Sequence, residues 1–138
     1  MHIDFGTFLP VRGKVEEHKM HEEHFEINKK NAELINKRKG KLIVVGTTSM
    51  RALESASSDE GRIIPQKGKT RLFIYPGYKF KVNADALITN FHLPKSTLLM
   101  LVSAYYGRKK ILDAYRIAIK ERYRFYSLGD AMMLIKSL

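Results

Sequence analysis

The sequence predicts an α/β fold with a partial, largely parallel sheet flanked by helices, and three observations carry the prediction. The run LIVV at 42–45 is continuously apolar and β-branched, and it passes through Gly46, Thr47, Thr48 and Ser49 into a helix with Met50, Leu53 and Ala56 on one side. Two short apolar runs follow at 71–75 and 85–88, then two helical stretches and a last apolar run at 131–135. Only one of about four expected helices is strongly apolar, less cover than both faces of a parallel sheet require, so the sheet reads as incomplete.

Each element has a local reason. Residues 1–27 hold GTFLPV, where Gly6 and Pro10 punctuate a short extended piece, and then the charged stretch EEHKMHEEHFEI; together they read as an edge or connector. Asn28 suits the N-cap of a modest helix running to about Lys39 and ended by Gly40, with Ala32, Leu34 and Ile35 as its apolar positions. DEGRIIPQKGKT at 59–70 reads as a turn-rich loop, and RLFIY at 71–75 as a strand closed by Pro76 and Gly77. After DALI at 85–88, Pro94 keeps His92 and Leu93 out of regular helix. Ser96 caps STLLMLVSAYYG, which is apolar round nearly its whole circumference and therefore central, and Gly107 suits its exit. From Arg108 a second helix carries Ile111, Leu112, Tyr115, Ala118 and Ile119 on one stripe, and AMMLI at 131–135 returns as a final strand.

The chain has 138 residues, of which 44% are hydrophobic, enough for one core and a single unit over 1–138. No apolar run approaches the roughly 20 residues of a membrane span, and MHIDFGTFLP lacks the basic-then-apolar order of a signal peptide, so a soluble, cytoplasmic protein is expected. Without cysteine, neither disulfides nor thiolate metal sites can form. Lys and Arg number 25 against 14 Asp and Glu, a net charge of +11. That exceeds the magnitude of roughly 2 to 8 that solubility asks of a small domain. The excess fits a polyanionic partner or a solvated basic surface, and it is spread over Lys37 to Lys41, Lys67 to Arg71, Lys79 with Lys81, Arg108 to Lys110, and Lys120 to Arg124.

Four constellations have chemistry to offer. His18, His21 and His24 form HxxHxxH beside Glu22 and Glu23, but helical steps of three spread the imidazoles around the axis and a strand turns His21 away, so no metal site is assigned. Gly46, Thr47, Thr48 and Ser49 stand where a strand meets a helix N-terminus, either a place for phosphate or carboxylate or a plain cap; neither GxGxxG nor GK[ST] is present. Thr89 to Ser96 follows a strand and precedes a helix, the edge of an α/β sheet that commonly holds ligand. His92 there is either a proton-transfer group with a pKa near neutrality or a buried structural histidine. Tyr123, Phe125 and Tyr126 interleave with Arg122 and Arg124, a mixture for stacking on unpaired bases or for the core, and Asp130 after Gly129 is a cap or a catalytic carboxylate.

Taken together, GTFLPV (6–11), HKMHEEHFEI (18–27), VGTTSMRALES (45–55), FIYPGYKFKV (73–82), DALITNFHLPKSTLLMLVSAYYG (85–107) and YRFYSLGDAM (123–132) resemble the ordered signature blocks of the S-adenosylmethionine:tRNA ribosyltransferase-isomerase family of queuosine biosynthesis. The resemblance implies transfer of the ribosyl part of S-adenosylmethionine to 7-aminomethyl-7-deazaguanine in the tRNA anticodon loop and its isomerisation to an epoxycyclopentanediol, giving epoxyqueuosine, with adenine and methionine leaving. S-Adenosylmethionine is then a consumed ribosyl donor, and no metal is implied. His92 is the first candidate for proton transfer, with Asp130 and Glu54 behind it. Thr47, Thr48, Arg51, Asn90, Lys95 and Ser96 are candidates for holding the nucleoside, the methionyl carboxylate or phosphate. Leu9 departs from the polar or basic residue usual after GTF, and KVNADAL and GDAMMLI run one residue longer than the family pattern. The family's amino-terminal part, with the rest of its α/β layer and a β-barrel domain, has no counterpart, so the resemblance implies the carboxyl-terminal portion of a larger α/β domain. A monomer is expected for the full-length form, and self-association for a fragment with an open sheet edge.

Overall fold

A computed structural model of the chain describes residues 18, 20–126 and 129–136. In chain order the elements are β1 (Glu23–Ile27), α1 (Lys29–Asn36), β2 (Ile43–Val45), α2 (Thr47–Ser55), β3 (Gln66–Thr70), β4 (Ala86–Asn90), α3 (Thr97–Tyr106), α4 (Arg108–Lys120) and β5 (Ala131–Ile135). The expected extended piece around Gly6 and Pro10, and Leu9, lie outside the described residues.

Where the sequence signal is local, the structure follows it. Asn28 caps α1, its side chain accepting from the Asn31 N–H at 2.8 Å, and Ser96 caps α3 in the same way through Leu99 at 3.1 Å. Gly107 ends α3 and opens α4 with φ at +100°, a conformation that glycine enters without a Cβ clash. Every residue of α3 is buried or half-buried, as its all-round apolar character requires. The run at 131–135 becomes β5.

Two sheets form: β1 with β3, antiparallel, and a three-stranded sheet in the order β2-β4-β5. In the second, β2 and β4 are parallel but β4 and β5 antiparallel. The expected largely parallel sheet is therefore corrected to a mixed one, and the cause is the number of helices between β4 and β5. A single crossover helix returns a chain to the start of the strand it left, whereas α3 and α4 together carry it out and back. The chain re-enters at the carboxyl end of β4, with Ala131 opposite Asn90.

Three further expectations are corrected. Residues 71–75 are not a strand, although Ile74 is buried; the strand is Gln66–Thr70, inside the expected loop, and its partner β1 lies in the expected connector. In α1, Ala32 is buried but Leu34 is exposed, and in α4 the buried stripe is Ile111, Tyr115 and Ala118, while Leu112 and Ile119 face outward. The expected strand at 85–88 begins one residue later, because the Asp85 carboxylate accepts from the Leu42 N–H at 2.7 Å and pairs with Lys41.

The core lies on one face of the three-stranded sheet, where Val44, Leu87 and Leu134 meet Met50, Leu101, Val102 and Ile111. Side chains alternate across a strand. The other face therefore presents Ile43, Val45 and Met133, each roughly half exposed or more, with Val45 at 64%.

Candidate functional site

Because β2 and β4 are parallel neighbours, the segments leaving their carboxyl ends share one sheet edge, where α/β folds hold ligands. Gly46 leaves β2 with φ at +89° and donates its N–H to the Ile88 carbonyl at 2.8 Å, and α2 begins at once. Gly46 itself occupies the N-cap and no side chain caps α2, so Thr47 and Thr48 stand in its first turn, buried and half-buried.

The loop after β4 is held from two sides. Asn90 donates its side-chain amide to the Tyr126 carbonyl at 3.0 Å, Phe91 donates its N–H to the Asp130 carbonyl at 3.2 Å, and Tyr126 returns an N–H to the Phe91 carbonyl at 3.0 Å. The Asp130 carboxylate accepts from the Arg124 N–H at 2.7 Å and from its guanidinium at 3.2 Å, which holds its pKa below the usual carboxylate range. Gly129 closes this turn because a Cβ there would meet the Phe125, Arg124 and Tyr126 backbone at 2.6–2.8 Å. Phe91 packs against Tyr115, Tyr123 and Phe125 with ring centroids 5.3–5.7 Å apart, so the aromatics of YRFY serve the loop's packing. Tyr123 and Tyr126 nonetheless stay partly exposed.

His92 sits on this aromatic bed, 8% exposed. Its Nε2 is 3.1 Å from the Thr89 hydroxyl, and its backbone N–H donates to the Tyr115 Oη at 2.7 Å. Burial strips hydration from the imidazolium and lowers the pKa to about 4, so of the two expectations for His92 the burial is met and the value near neutrality is not. Burial likewise raises the Tyr115 phenol to about 12, so its proton stays in place at neutral pH.

Beyond His92 the chain turns through Lys95, whose φ of +59° is left-handed, into Ser96, whose Oγ donates to the Leu93 carbonyl at 2.7 Å. Lys95 and Ser96 line a cleft of about 470 Å³ whose other walls include Tyr75, Met100, Arg108 and Leu112.

Two predicted residues of α2 lie elsewhere. Glu54 accepts from the Tyr78 hydroxyl at 3.0 Å and from the Lys81 and Val82 N–H groups at 3.1 and 2.9 Å, while burial first and Glu54 second push the Tyr78 phenol up. Arg51 forms a buried ion pair with Glu23 of β1. The structure thus gathers Asn90, His92 and Asp130 in one loop system, with Lys95 and Ser96 following and Thr47 and Thr48 leaving the same sheet edge. Glu54 and Arg51 instead brace α2 against its neighbours. Sequence reasoning took Tyr75 only as part of an apolar strand and Tyr115 only as apolar stripe; for Tyr115, a hydroxyl at an inward helical position, which must find a partner, was the available signal.

At the histidine-rich segment, His18 packs on Phe73 at 5.2 Å and Glu22 pairs with Lys69 and Arg71. Among the described residues no group of three or more His, Asp or Glu is placed to hold a metal ion.

Fold and loop system together define an α/β protein whose polar loops converge on the carboxyl edge of a parallel strand pair. The chain belongs to the family described as Queuosine biosynthesis protein, whose profile matches residues 1–134. It is 58% identical to the S-adenosylmethionine:tRNA ribosyltransferase-isomerase of Acetivibrio thermocellus, over 97% of this chain and 40% of that protein. Its identity to the protein of the same name from Fusobacterium nucleatum is 57%, over 97% of this chain and 39% of that one. The crystal structure of S-adenosylmethionine tRNA ribosyltransferase from Thermotoga maritima matches with a TM-score of 0.68 and 45% identity, over 80% of this chain and 39% of that chain. This chain therefore spans about 40% of the length of the curated relatives it matches.

Proposed function

We propose that this chain supplies part of an active site that transfers the ribosyl moiety of S-adenosylmethionine to 7-aminomethyl-7-deazaguanine in the tRNA anticodon loop and isomerises it, giving epoxyqueuosine. The observation that carries the reading is the family match over 1–134, which takes in the whole β4–α3 loop around His92. A cytoplasmic location goes with this activity; among the described residues no helix is long and apolar enough to cross a membrane.

The reaction needs a base for a proton next to the sulfonium. We assign that transfer to His92 in preference to Glu54 and Asp130, whose carboxylates are already taken up by protein donors. A pKa of about 4 keeps the imidazole neutral, the form a base requires, but makes it weak; an anionic substrate group beside it raises its basicity. To Thr47, Thr48 and Asn90, which share that sheet edge, we assign the orientation of the nucleoside. The chain works as one portion of a larger α/β unit, a reading supported by the half-exposed Ile43, Val45 and Met133 on the open sheet face. Until that face is covered, it invites a second copy.

The test is single-turnover adenine release from S-adenosylmethionine with tRNA bearing the 7-aminomethyl base, run on the chain alone and on the chain joined to the rest of a family member. We expect turnover in the joined form, and we expect His92→Ala to lower it by about 10²-fold or more while tRNA affinity is kept. Unchanged turnover in His92→Ala would remove His92 from the mechanism. The +11 charge favours a second reading, a non-catalytic basic tRNA-binding portion; it predicts salt-sensitive tRNA affinity without adenine release in either form.

A further inference from the structure

The charge clusters differ in a way their sequence does not reveal. On β3 the cluster from Lys67 to Arg71 is matched internally: Lys67 meets Glu26 at 3.8 Å, Lys69 meets Glu22 at 2.6 Å, and Arg71 meets Glu22 at 3.2 Å. Lys81 is held by Asp59 at 2.8 Å, Lys37 by Glu33 at 3.6 Å, and Arg124 by Asp130 at 3.2 Å. Lys95 and the run Arg108 to Lys110 have no ion-pair partner among the described residues, and neither do Arg38, Lys39, Lys79, Lys120 and Arg122 in the other clusters. Of these, Lys95 and Arg108 line the cleft.

The cleft is more than a charged patch. At about 470 Å³ it falls within the roughly 300–1,000 Å³ of small-ligand sites. Tyr75 offers an aromatic ring, half-buried and steadied by Phe73 at 5.2 Å, while Leu99, Met100 and Leu112 supply apolar wall. Ser96 and Ser103 add hydroxyls, and among the described residues no acidic side chain lines it. An aromatic surface, an apolar wall and flanking cations are what an unpaired nucleotide engages, the base stacking and the phosphate meeting Lys or Arg. Charge separates the two substrates of the proposed reaction. S-Adenosylmethionine at neutral pH carries a sulfonium, an ammonium and one carboxylate, a net positive charge that two cations without an acid repel, whereas every RNA phosphodiester is negative.

We propose that this cleft, between the turn at 75–78 and the α3–α4 pair, seats one unpaired nucleotide of the RNA substrate, its base against Tyr75 and its phosphate between Lys95 and Arg108. The proposal rests on the tRNA-directed reading above and moves Lys95 and Ser96 from the S-adenosylmethionine side of the site to the RNA side.

The experiment is fluorescence anisotropy of a labelled, unmodified anticodon stem-loop RNA titrated with the full chain over a series of salt concentrations, with calorimetric titration of S-adenosylmethionine alongside. Tyr75→Ala is expected to weaken RNA binding by about tenfold and Tyr75→Phe to preserve it. Lys95→Ala and Arg108→Ala should each reduce the slope of log affinity against log salt by about 0.7, whereas Lys29→Ala on α1, also exposed, should leave Tyr75-dependent binding intact. Both basic side chains are on the surface, so these variants keep the test valid if Tyr75→Ala fails to fold. No RNA binding by the wild-type chain, unchanged affinity and slope in all three variants, or loss confined to S-adenosylmethionine binding would each overturn the seat. Weakened RNA binding in the variants with no adenine release in any form would leave the seat standing and remove the catalytic reading. Turnover with RNA affinity untouched would do the reverse.

Discussion

The β1–β3 ribbon and the β2-β4-β5 sheet are built from different forces. The sheet buries Val44, Leu87 and Leu134 against α2, α3 and α4, so it is held by apolar area. In the ribbon β3 reads QKGKT and has no apolar side chain to bury. It is held by its backbone ladder, by Lys67–Glu26 and Lys69–Glu22 across the strands, and by the Ser55–Thr70 hydroxyl contact at 2.7 Å. Its inner face contributes Phe25 and Ile27 together with Glu23, and Glu23 reaches α2 through Arg51. One region thus depends on hydrophobic burial alone, while the other adds to the buried Phe25 and Ile27 a buried charge pair and an exposed charged rim, which makes them separable by experiment.

The largest effect is expected at that buried pair. Arg51→Met removes the guanidinium that pairs with the buried Glu23 carboxylate and should destabilise the chain by about 3–5 kcal/mol, read as a lowered urea midpoint. The double replacement Glu23→Leu with Arg51→Met should recover most of that loss, because a buried pair contributes little net over apolar residues of similar size. If the double variant is as unstable as the single one, the ribbon needs the charges themselves.

Next in size is a pH effect on the sheet side. His92 has its folded pKa lowered from 6.5 to about 4, so between those values the unfolded chain binds the extra proton. Stability is full above pH 6.5, falls as pH drops towards 4, and levels off below, a change of up to about 3 kcal/mol. Urea unfolding across that window checks it, and His92→Gln should flatten the slope. The smallest effect belongs to the ribbon's rim: Lys69→Ala should cost about 0.5 kcal/mol at low salt and nothing measurable at high salt.

Legibility followed the same division. The caps at Asn28 and Ser96, the break at Gly107 and the apolar runs of β2 and β5 were all readable, because each signal and its physical cause lie within a turn or a strand. β3 was not, since polar residues with no alternation become a strand only when β1 offers a backbone to pair with. Residues 71–75 show the converse: apolar content buried Ile74 without supplying a pairing partner. In the candidate site, the concentration of functional groups in Thr89 to Ser96 was visible, but their division of labour was not. Arg51 and Glu54 read as ligand-facing or catalytic and turned out to meet Glu23, Tyr78, Lys81 and Val82.

The sequence by itself determined the helix starts capped by Asn28 and Ser96, the apolar strands β2, β4 and β5, the excess of positive charge and the signature blocks of the family, all of them properties of neighbouring residues, whereas α1 ends at Asn36 and not at the expected Lys39. Only the tertiary structure decided that β5 runs against β4, that the His92 imidazole is buried while its backbone N–H meets the Tyr115 hydroxyl, and which lysines and arginines pair with acidic side chains. Those outcomes depend on groups far apart along the chain, brought together by the helical pair between β4 and β5 and by burial. A side chain's basicity and its free charge are set by what surrounds it in space.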